Sequence, residues 1–395
     1  MARIRFFLLA GLSFGLLMVI AASSNSIQAQ QAQIDRYILP GDKVFPEGIA
    51  YQESTGDFYV SNTTDGTIYK GNIARPEAEV WLPGATEGLT GTRGMKVSSD
   101  NRLYVSAGPQ AMIFVFDTTN KQLVAKFPTG VQPSFVNDVS LAPDGAAYFT
   151  DSNSPRLYKV SADAQGKLSM EDWLNVSPTI VYTQGFNLGG IDVSDDGKYI
   201  IVAQGNTGKI YRIEVASKSI TEINLGGQAM TGADGILLDG QTLYIARNSA
   251  GLLVTIAMSN DMASGTVVSS ATDPSFGFPT TLAKAGNRLL VVNSQFDKRA
   301  TAPVLPFTIS SIPAPSSAQP QPTAPAATVV PAETPVVTET PVPAPAPVET
   351  PVTPGMPTTG SGGSGDLLGL TTLLILATAL VLQGGVMLRR AKKSS

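Results

Sequence analysis

The strongest constraint on this chain is a period of about 45 residues. Short strand-like segments recur as Asp57-Phe-Tyr-Val, Arg102-Leu-Tyr-Val, Ala147-Tyr-Phe-Thr, Lys198-Tyr-Ile-Ile, Thr242-Leu-Tyr-Ile and Arg288-Leu-Leu-Val, with starts 45, 45, 51, 44 and 46 residues apart. Such a period, with turn chemistry between short strands, reads as propeller blades and not as a helical solenoid. Asp-Gly pairs at 144–145, 196–197 and 239–240 mark hairpin turns, so Asp144, Asp196 and Asp239 are turn formers. Further strands follow at Thr67-Ile-Tyr-Lys, Met112-Ile-Phe-Val-Phe, Arg156-Leu-Tyr-Lys-Val, Lys209-Ile-Tyr-Arg-Ile and Leu252-Leu-Val-Thr-Ile. Six second strands predict an all-β fold, a six-bladed β-propeller over 34–310. Residues 34–39 are expected to supply the outer strand of the last blade and close the ring.

Composition limits the chemistry such a ring can host. The chain has no Cys and no His. That removes disulfides, thiol nucleophiles, histidine bases and every metal site built on imidazole or thiolate. A quinone-dependent sugar dehydrogenase propeller, which would call for a catalytic His, is disfavoured on the same ground. What remains is carboxylates, amides, hydroxyls, Lys, Arg, or a hard cation held by oxygen. The central region carries 21 basic and 27 acidic residues, and the whole chain has net charge −4 and pI near 5.1, with no basic patch. Nucleic acid is therefore not an expected partner.

The two ends point outside the cytoplasm. Arg3 and Arg5 precede the apolar run 6–22 and a polar segment, a secretory layout with cleavage after Ala29, giving a signal peptide over 1–29; an uncleaved anchor is the alternative. Residues 367–388 are uncharged and long enough to form one C-terminal transmembrane helix. Arg389, Arg390, Lys392 and Lys393 follow, placing the tail 389–395 on the cytoplasmic side. The pentapeptide Met356-Pro-Thr-Thr-Gly360 before the span resembles a sortase sorting signal, with Met where that motif usually has Leu. Membrane anchoring and sortase attachment to the cell wall both stay open, and both put the head on the extracellular face. The segment 311–366 is rich in Pro, Thr, Ser and Gly; 14 of the 28 prolines fall within 311–357. It reads as a disordered stalk, and at ~3.1 Å per residue about 45 residues of polyproline II reach on the order of 140 Å.

In a propeller the innermost strands run beside the axis, and their starts converge on one face. The residues eight to ten positions before the start of each second strand are Glu47, Arg93, Asn137, Gly189, Asp234 and the Pro279/Thr280 step. Carboxylates and an amide meeting at one axis are costly unless paired or bound to a cation. Arg93 has two readings: a group that binds substrate, or a partner that closes the axis by salt bridges to Glu47 and Asp234. Asp138 reads as a turn or hydrogen-bonding residue.

The segments Pro46-Glu-Gly, Val136-Asn-Asp-Val with Ala142-Pro-Asp-Gly, and Ala233-Asp-Gly-Ile together resemble the gluconolactonase/senescence-marker-protein (regucalcin-like) family of six-bladed propellers. The resemblance covers the head and neither end. It implies a divalent cation, Ca or Zn, with Glu47 and Asp234 as metal ligands and Asn137 matching a third-blade amide that touches metal or substrate. Gly189-Gly190-Ile191 stands where the family reads Asn-Gly-Ile, so the fourth-blade ligand is missing, and Asn187 is the candidate substitute. The implied function is hydrolysis of a lactone or ester, with Asp234 or Glu47 as catalytic groups and Arg93 and Asn137 binding substrate. The alternative is a non-catalytic surface propeller that binds a surface ligand or acts as a scaffold, its axis closed by Arg93.

Overall fold

The computed structural model describes residues 33–316. The signal segment, most of the stalk, the sorting-like motif, the apolar span and the basic tail lie outside the described residues. Within them are twenty-four strands and two single-turn 3-10 segments. β1 is Arg36–Leu39. One array holds β2 (Pro46–Gln52), β3 (Asp57–Asn62), β4 (Ile68–Asn72) and β5 (Arg75–Leu82). The next holds β6 (Met95–Val97), β7 (Arg102–Ser106), β8 (Met112–Asp117) and β9 (Leu123–Pro128). Then come β10 (Val136–Leu141), β11 (Ala147–Asp151), β12 (Arg156–Ala162) and β13 (Leu168–Asn175), followed by β14 (Leu188–Val193), β15 (Tyr199–Gln204), β16 (Lys209–Glu214) and β17 (Ile220–Glu222). The last are β18 (Ala233–Asp239), β19 (Thr242–Arg247), β20 (Leu252–Met258) and β21 (Gly265–Ala271), then β22 (Pro279–Ala285), β23 (Arg288–Asn293) and β24 (Phe307–Pro313).

Each array is an antiparallel meander, and the first strands pack against one another in a closed circuit: β2 on β6, β6 on β10, β10 on β14, β14 on β18, β18 on β22, and β22 on β2. This is a β-propeller. The second strands begin at the residues the repeat predicts in five cases, and at Tyr199 instead of Lys198 in the other. Lys198 is still in the hairpin turn, where its N–H donates to Asp196 Oδ1 at 3.0 Å. Asp144 and Asp196 form their predicted turns with Gly145 (φ 85°) and Gly197 (φ 70°).

Burial grades outward along each array. All six residues of β14 are buried, whereas β9 alternates between half-buried and exposed, as an outermost strand with one wet face should. The first three strands of the arrays supply the core, with Phe58, Phe114, Phe149, Ile49 and Tyr158 at or below 1 % exposure. Each such side chain contributes roughly 1.5–3 kcal/mol by burial. Close approach between neighbouring first strands uses glycine: a Cβ on Gly48 would stand 2.3 Å from Arg93 O, and one on Gly190 2.3 Å from Asp234 O.

The ring closes as the sequence predicts. β1 pairs antiparallel with β24, Leu39 opposite Phe307 and Arg36 opposite Ser310. Tyr37 and Leu39 are buried in one cluster with Phe307 and Ile309, and Arg288 Nη2 meets Asp35 Oδ1 at 2.7 Å. The first and last described strands therefore share one array, which leaves no open edge at the seam.

Candidate functional site

The first strands share a local irregularity that builds the site. Pairing to the second strand breaks between Pro46 and Ile49, Val136 and Val139, Leu188 and Ile191, Ala233 and Ile236, and Pro279 and Leu282. The two residues stepped over are Glu47-Gly48, Asn137-Asp138, Gly189-Gly190, Asp234-Gly235 and Thr280-Thr281. A bulge of this kind re-aims side chains, here at the start of each strand beside the axis. Arg93 and Gly94 hold the same place ahead of β6, where Arg93 N–H donates to Ser106 O at 2.8 Å. The register also resolves the Pro279/Thr280 step: Thr280 is the counterpart of Glu47, and its Oγ1 donates to Glu47 O at 2.9 Å.

The bulges leave backbone donors that the second strands answer. Ser61 Oγ accepts from Gly48 N at 2.7 Å and Glu47 N at 3.3 Å, and Thr150 Oγ1 accepts from Asp138 N at 3.2 Å. Glu47 is thereby fixed in backbone, yet its carboxylate Oε2 is buried with no hydrogen-bond partner among the described residues. The Asn137 amide is oriented by a relay. Ser152 Oγ donates to Leu188 O at 2.6 Å, so it can only accept from Asn137 Nδ2, at 2.7 Å. That turns Asn137 Oδ1 the other way, where it too is buried without a partner. Asp234 is held from one side by Asn248 Nδ2, which donates to Oδ2 at 3.1 Å. A Cβ on Gly189 would lie 3.9 Å from Asp234 Oδ1 and 4.0 Å from Asn137 Nδ2, so the missing side chain leaves a space between these two residues.

Asn187 does not fill that space. Its Nδ2 donates to Thr183 O (2.9 Å), Gly185 O (3.0 Å) and Ser152 O (3.3 Å). Its Oδ1 accepts from Thr183 N (2.9 Å), Asn206 Nδ2 (3.0 Å) and Gln204 Nε2 (3.1 Å). Every donor and lone pair is committed to the 183–187 backbone or to Ser152, Gln204 and Asn206, so the expectation that Asn187 replaces the absent ligand is corrected here. The salt-bridged axis is corrected as well. Among the described residues no ion pair joins Arg93 to Glu47 or Asp234. The guanidinium instead donates to Thr92 O at 2.8 Å and lies 5.2 Å from the centre of the Phe135 ring.

A second guanidinium escapes the repeat pattern. Arg299 stacks on Phe296 (4.3 Å) and Phe45 (5.1 Å), worth about 0.5–2 kcal/mol per contact, and its charge, like that of Arg93, falls on Glu47. It comes from the turn between β23 and β24, outside the first-strand offset that found the others. Its only sequence signal is the Phe296-x-x-Arg299 spacing on that turn.

Electrostatics make the axis a strained place for protons. Burial, then the neighbouring Asp234 and Asp138, raise the Glu47 carboxyl well above the usual range, against the pull of Arg93 and Arg299. Burial raises Asp234 to about 6, opposed by the Asn248 hydrogen bond and Arg93. Asp138, whose Oδ1 accepts from Val139 N at 2.8 Å, is lifted by burial to about 7. It is a buried strand residue and not a turn. Uncompensated buried carboxylates take protons or cations.

The residues fit a hard cation. Glu47 Oε2 and Asn137 Oδ1, both buried without a hydrogen-bond partner among the described residues, and the Asp234 carboxylate that acts on Glu47 offer oxygen donors only, a chemistry suited to Ca²⁺ and poor in the nitrogen and sulfur that Zn²⁺ favours. Among the described residues there is no group of three or more Asp or Glu placed to hold a metal ion; the set is two carboxylates and an amide. A surface cavity of about 500 Å³ beside Asn224, Gln241 and Ser264 lies away from this axis and has no titratable residue in its lining.

A family profile described as the SMP-30/Gluconolactonase/LRE-like region matches residues 45–287, more than half of the chain. The chain belongs to this family. Among solved structures it is similar to the allergen Mala s 1 of Malassezia sympodialis, with 15 % identity, TM-score 0.55, and 71 % of this chain and 96 % of that one covered. It is also similar to regucalcin, a calcium-binding protein of Agrobacterium tumefaciens, with 16 % identity, TM-score 0.51 and coverage of 70 % and 94 %. At these identities the likeness extends to the fold alone. A search of the curated proteins found no match.

Proposed function

We propose that the head is a six-bladed propeller that hydrolyses a lactone or related ester at a divalent cation, preferentially Ca²⁺, on its axis. The observation that carries this reading is the pair of buried oxygens without a hydrogen-bond partner among the described residues, Glu47 Oε2 and Asn137 Oδ1, in the same ring of first strands as Asp234, whose charge acts on Glu47. Glu47, Asn137 and Asp234 would hold the cation. When bound, it would polarise the substrate carbonyl and offset the oxyanion charge. Asp234, steadied through Oδ2 by Asn248 and raised toward neutral pH, accepts a proton from water as the water oxygen bonds to the acyl carbon. The acyl–oxygen bond then breaks, and the departing alkoxide takes that proton back, giving the hydroxy acid. Arg93, free of any ion pair among the described residues, is placed to bind the carbonyl oxygen or the new carboxylate.

A second reading is favoured by one specific observation. Arg93 opposes the rise of both Glu47 and Asp234, and Arg299 that of Glu47, without a cation, the direction of charge compensation that a non-catalytic binding or scaffold ring would use. Elemental analysis of the purified chain, with acid release from lactones followed in a pH-stat, separates the two. Stoichiometric calcium and turnover support hydrolysis; a metal-free chain that stays inactive with added Ca²⁺, Mg²⁺, Mn²⁺ or Zn²⁺ supports the scaffold.

The proposed setting is the outer face of the cell, with a leader over 1–29, a stalk that begins after β24, at residue 314 and not 311, and runs to 366, a membrane span over 367–388 and a cytoplasmic tail over 389–395. The charge and hydropathy pattern of the ends supports this. Among the described residues no helix is long and apolar enough to cross a membrane, and the apolar segment lies beyond them. Mass spectrometry of the mature protein tests the anchor: a C-terminus at Thr359 means sortase cleavage, and peptides from 367–388 mean a retained span.

A further inference from the structure

The mouth of the axis carries an aromatic pair that the reaction above does not use. Phe135 immediately precedes β10 and Phe186 stands two residues before β14, on neighbouring arrays, with ring centroids 4.9 Å apart at 66°. Phe186 is 59 % exposed. A lone exposed phenylalanine means little, but this one stands on Phe135, and Phe135 in turn carries the Arg93 guanidinium on its face. The three groups form a continuous wall from solvent to the charge that acts on Glu47 and Asp234.

Both loops of this wall are pinned by buried polar hubs. Asp151, fully buried, accepts from Ser134 Oγ (2.5 Å), Phe135 N (2.8 Å), Asn153 N and Ser154 N (2.9 Å each) and Tyr158 OH (3.1 Å). Asn187 does the same for 183–187, as described above. Gly108 leaves room for the contact: at φ +51° a Cβ would meet Arg93 Nε at 3.3 Å and Phe135 Cζ at 3.4 Å. An exposed aromatic surface on backbone this tightly held is preorganised for a ligand, because little ordering entropy is lost when it is covered.

We propose that Phe135 and Phe186 form a subsite for an aryl or extended apolar group of an acidic ligand whose carboxylate meets Arg93. As a statement about substrate this rests on the lactone reading. The substrate class is then a lactone bearing an apolar substituent, which opens to an apolar hydroxy acid, and not a polyhydroxylated sugar lactone. A guanidinium with no carboxylate partner beside an uncovered ring edge matches an anion–apolar ligand in both charge and polarity.

Binding of ring-opened products tests this without turnover. Titration calorimetry of the full-length chain uses 4-hydroxy-4-phenylbutyrate as probe and gluconate as the polyhydroxylated control of equal charge. The expected result is at least tenfold tighter binding of the phenyl acid. Phe186→Ala, at an exposed position, should weaken the phenyl acid at least fivefold and gluconate less than twofold, with Phe186→Leu restoring most of the difference. Equal or tighter binding of gluconate, absent binding of the phenyl acid, or a Phe186→Ala effect equal on both ligands overturns the proposal. Phenyl-acid binding that depends on Phe186 in a chain without lactone turnover overturns the hydrolytic reading alone and upholds this ligand class.

Discussion

Two asparagines on neighbouring arrays show what decides whether a polar residue belongs to a site. Asn137 and Asn187 are both buried beside the axis. Asn137 spends its amide nitrogen on Ser152 and keeps its carbonyl oxygen free. Asn187 spends both ends on the loop it anchors and on Ser152, Gln204 and Asn206 beside it. Residue type and position relative to the strand are similar; the partners differ. Availability of a lone pair, set by neighbours distant in sequence, makes one a ligand candidate and the other a structural hub.

The largest expected effect breaks that comparison directly. Asn187→Ala should cost on the order of 3 kcal/mol of stability, because it strands several buried backbone and side-chain groups, while leaving cation affinity within about twofold once the protein is folded. Asn137→Ala should do the reverse, with a stability loss of about 1 kcal/mol or less in the cation-free chain and clearly weaker calcium binding. Thermal melts with and without calcium check both. Equal losses of stability in the two variants would erase the distinction.

A pH effect of intermediate size follows from the carboxyls around Asn137. Asp234 (about 6), Asp138 (about 7) and Glu47 are all raised in the folded state. The folded chain therefore binds more protons than the unfolded one. The associated stability is complete below the unfolded carboxyl pKa near 4 and is lost as pH rises toward 7. The cation-free chain should melt roughly 5 °C lower at pH 8 than at pH 5. Added calcium should recover most of this at pH 8 and little at pH 5, where protons compete. A melting temperature that rises over this interval without cation would contradict the burial of unpaired carboxyls.

The smallest effect sharpens the comparison by adding a ligand where Asn187 fails to provide one. A Cβ at residue 189 meets nothing closer than 3.7 Å, so Gly189→Asn fits sterically and sets an amide between Asn137 and Asp234. Calcium should bind about tenfold more tightly, a gain of roughly 1.4 kcal/mol. Weaker binding in a folded variant would mean that the gap serves something other than a cation.

Much of the fold was legible because it repeats. The 45-residue period places the second strands to within one residue, and the apolar 34–39 segment reads correctly as the closing strand, since periodic burial and turn chemistry are local signals. The repeat also singles out Glu47, Asn137 and Asp234 as candidates, eight to ten residues ahead of the second strands. Arg299 was missed because it reaches the axis from an irregular turn that no offset describes. The fates of Asn187 and Arg93 depend on partners such as Gln204, Asn206 and Phe135 that only the folded chain brings near. The membrane span and most of the stalk, read from the same sequence, fall outside the described residues.

The central claim is that Glu47, Asn137 and Asp234 share one cation. Calorimetric titration of calcium into the full-length chain at pH 8, with Asp234→Asn in parallel, tests it most directly. One equivalent should bind, with an affinity about 100-fold lower in the variant, because site affinity follows ligand charge. No stoichiometric binding, or equal binding by the folded variant, would contradict the account and leave Arg93 and Arg299 as the counter-charges to Glu47.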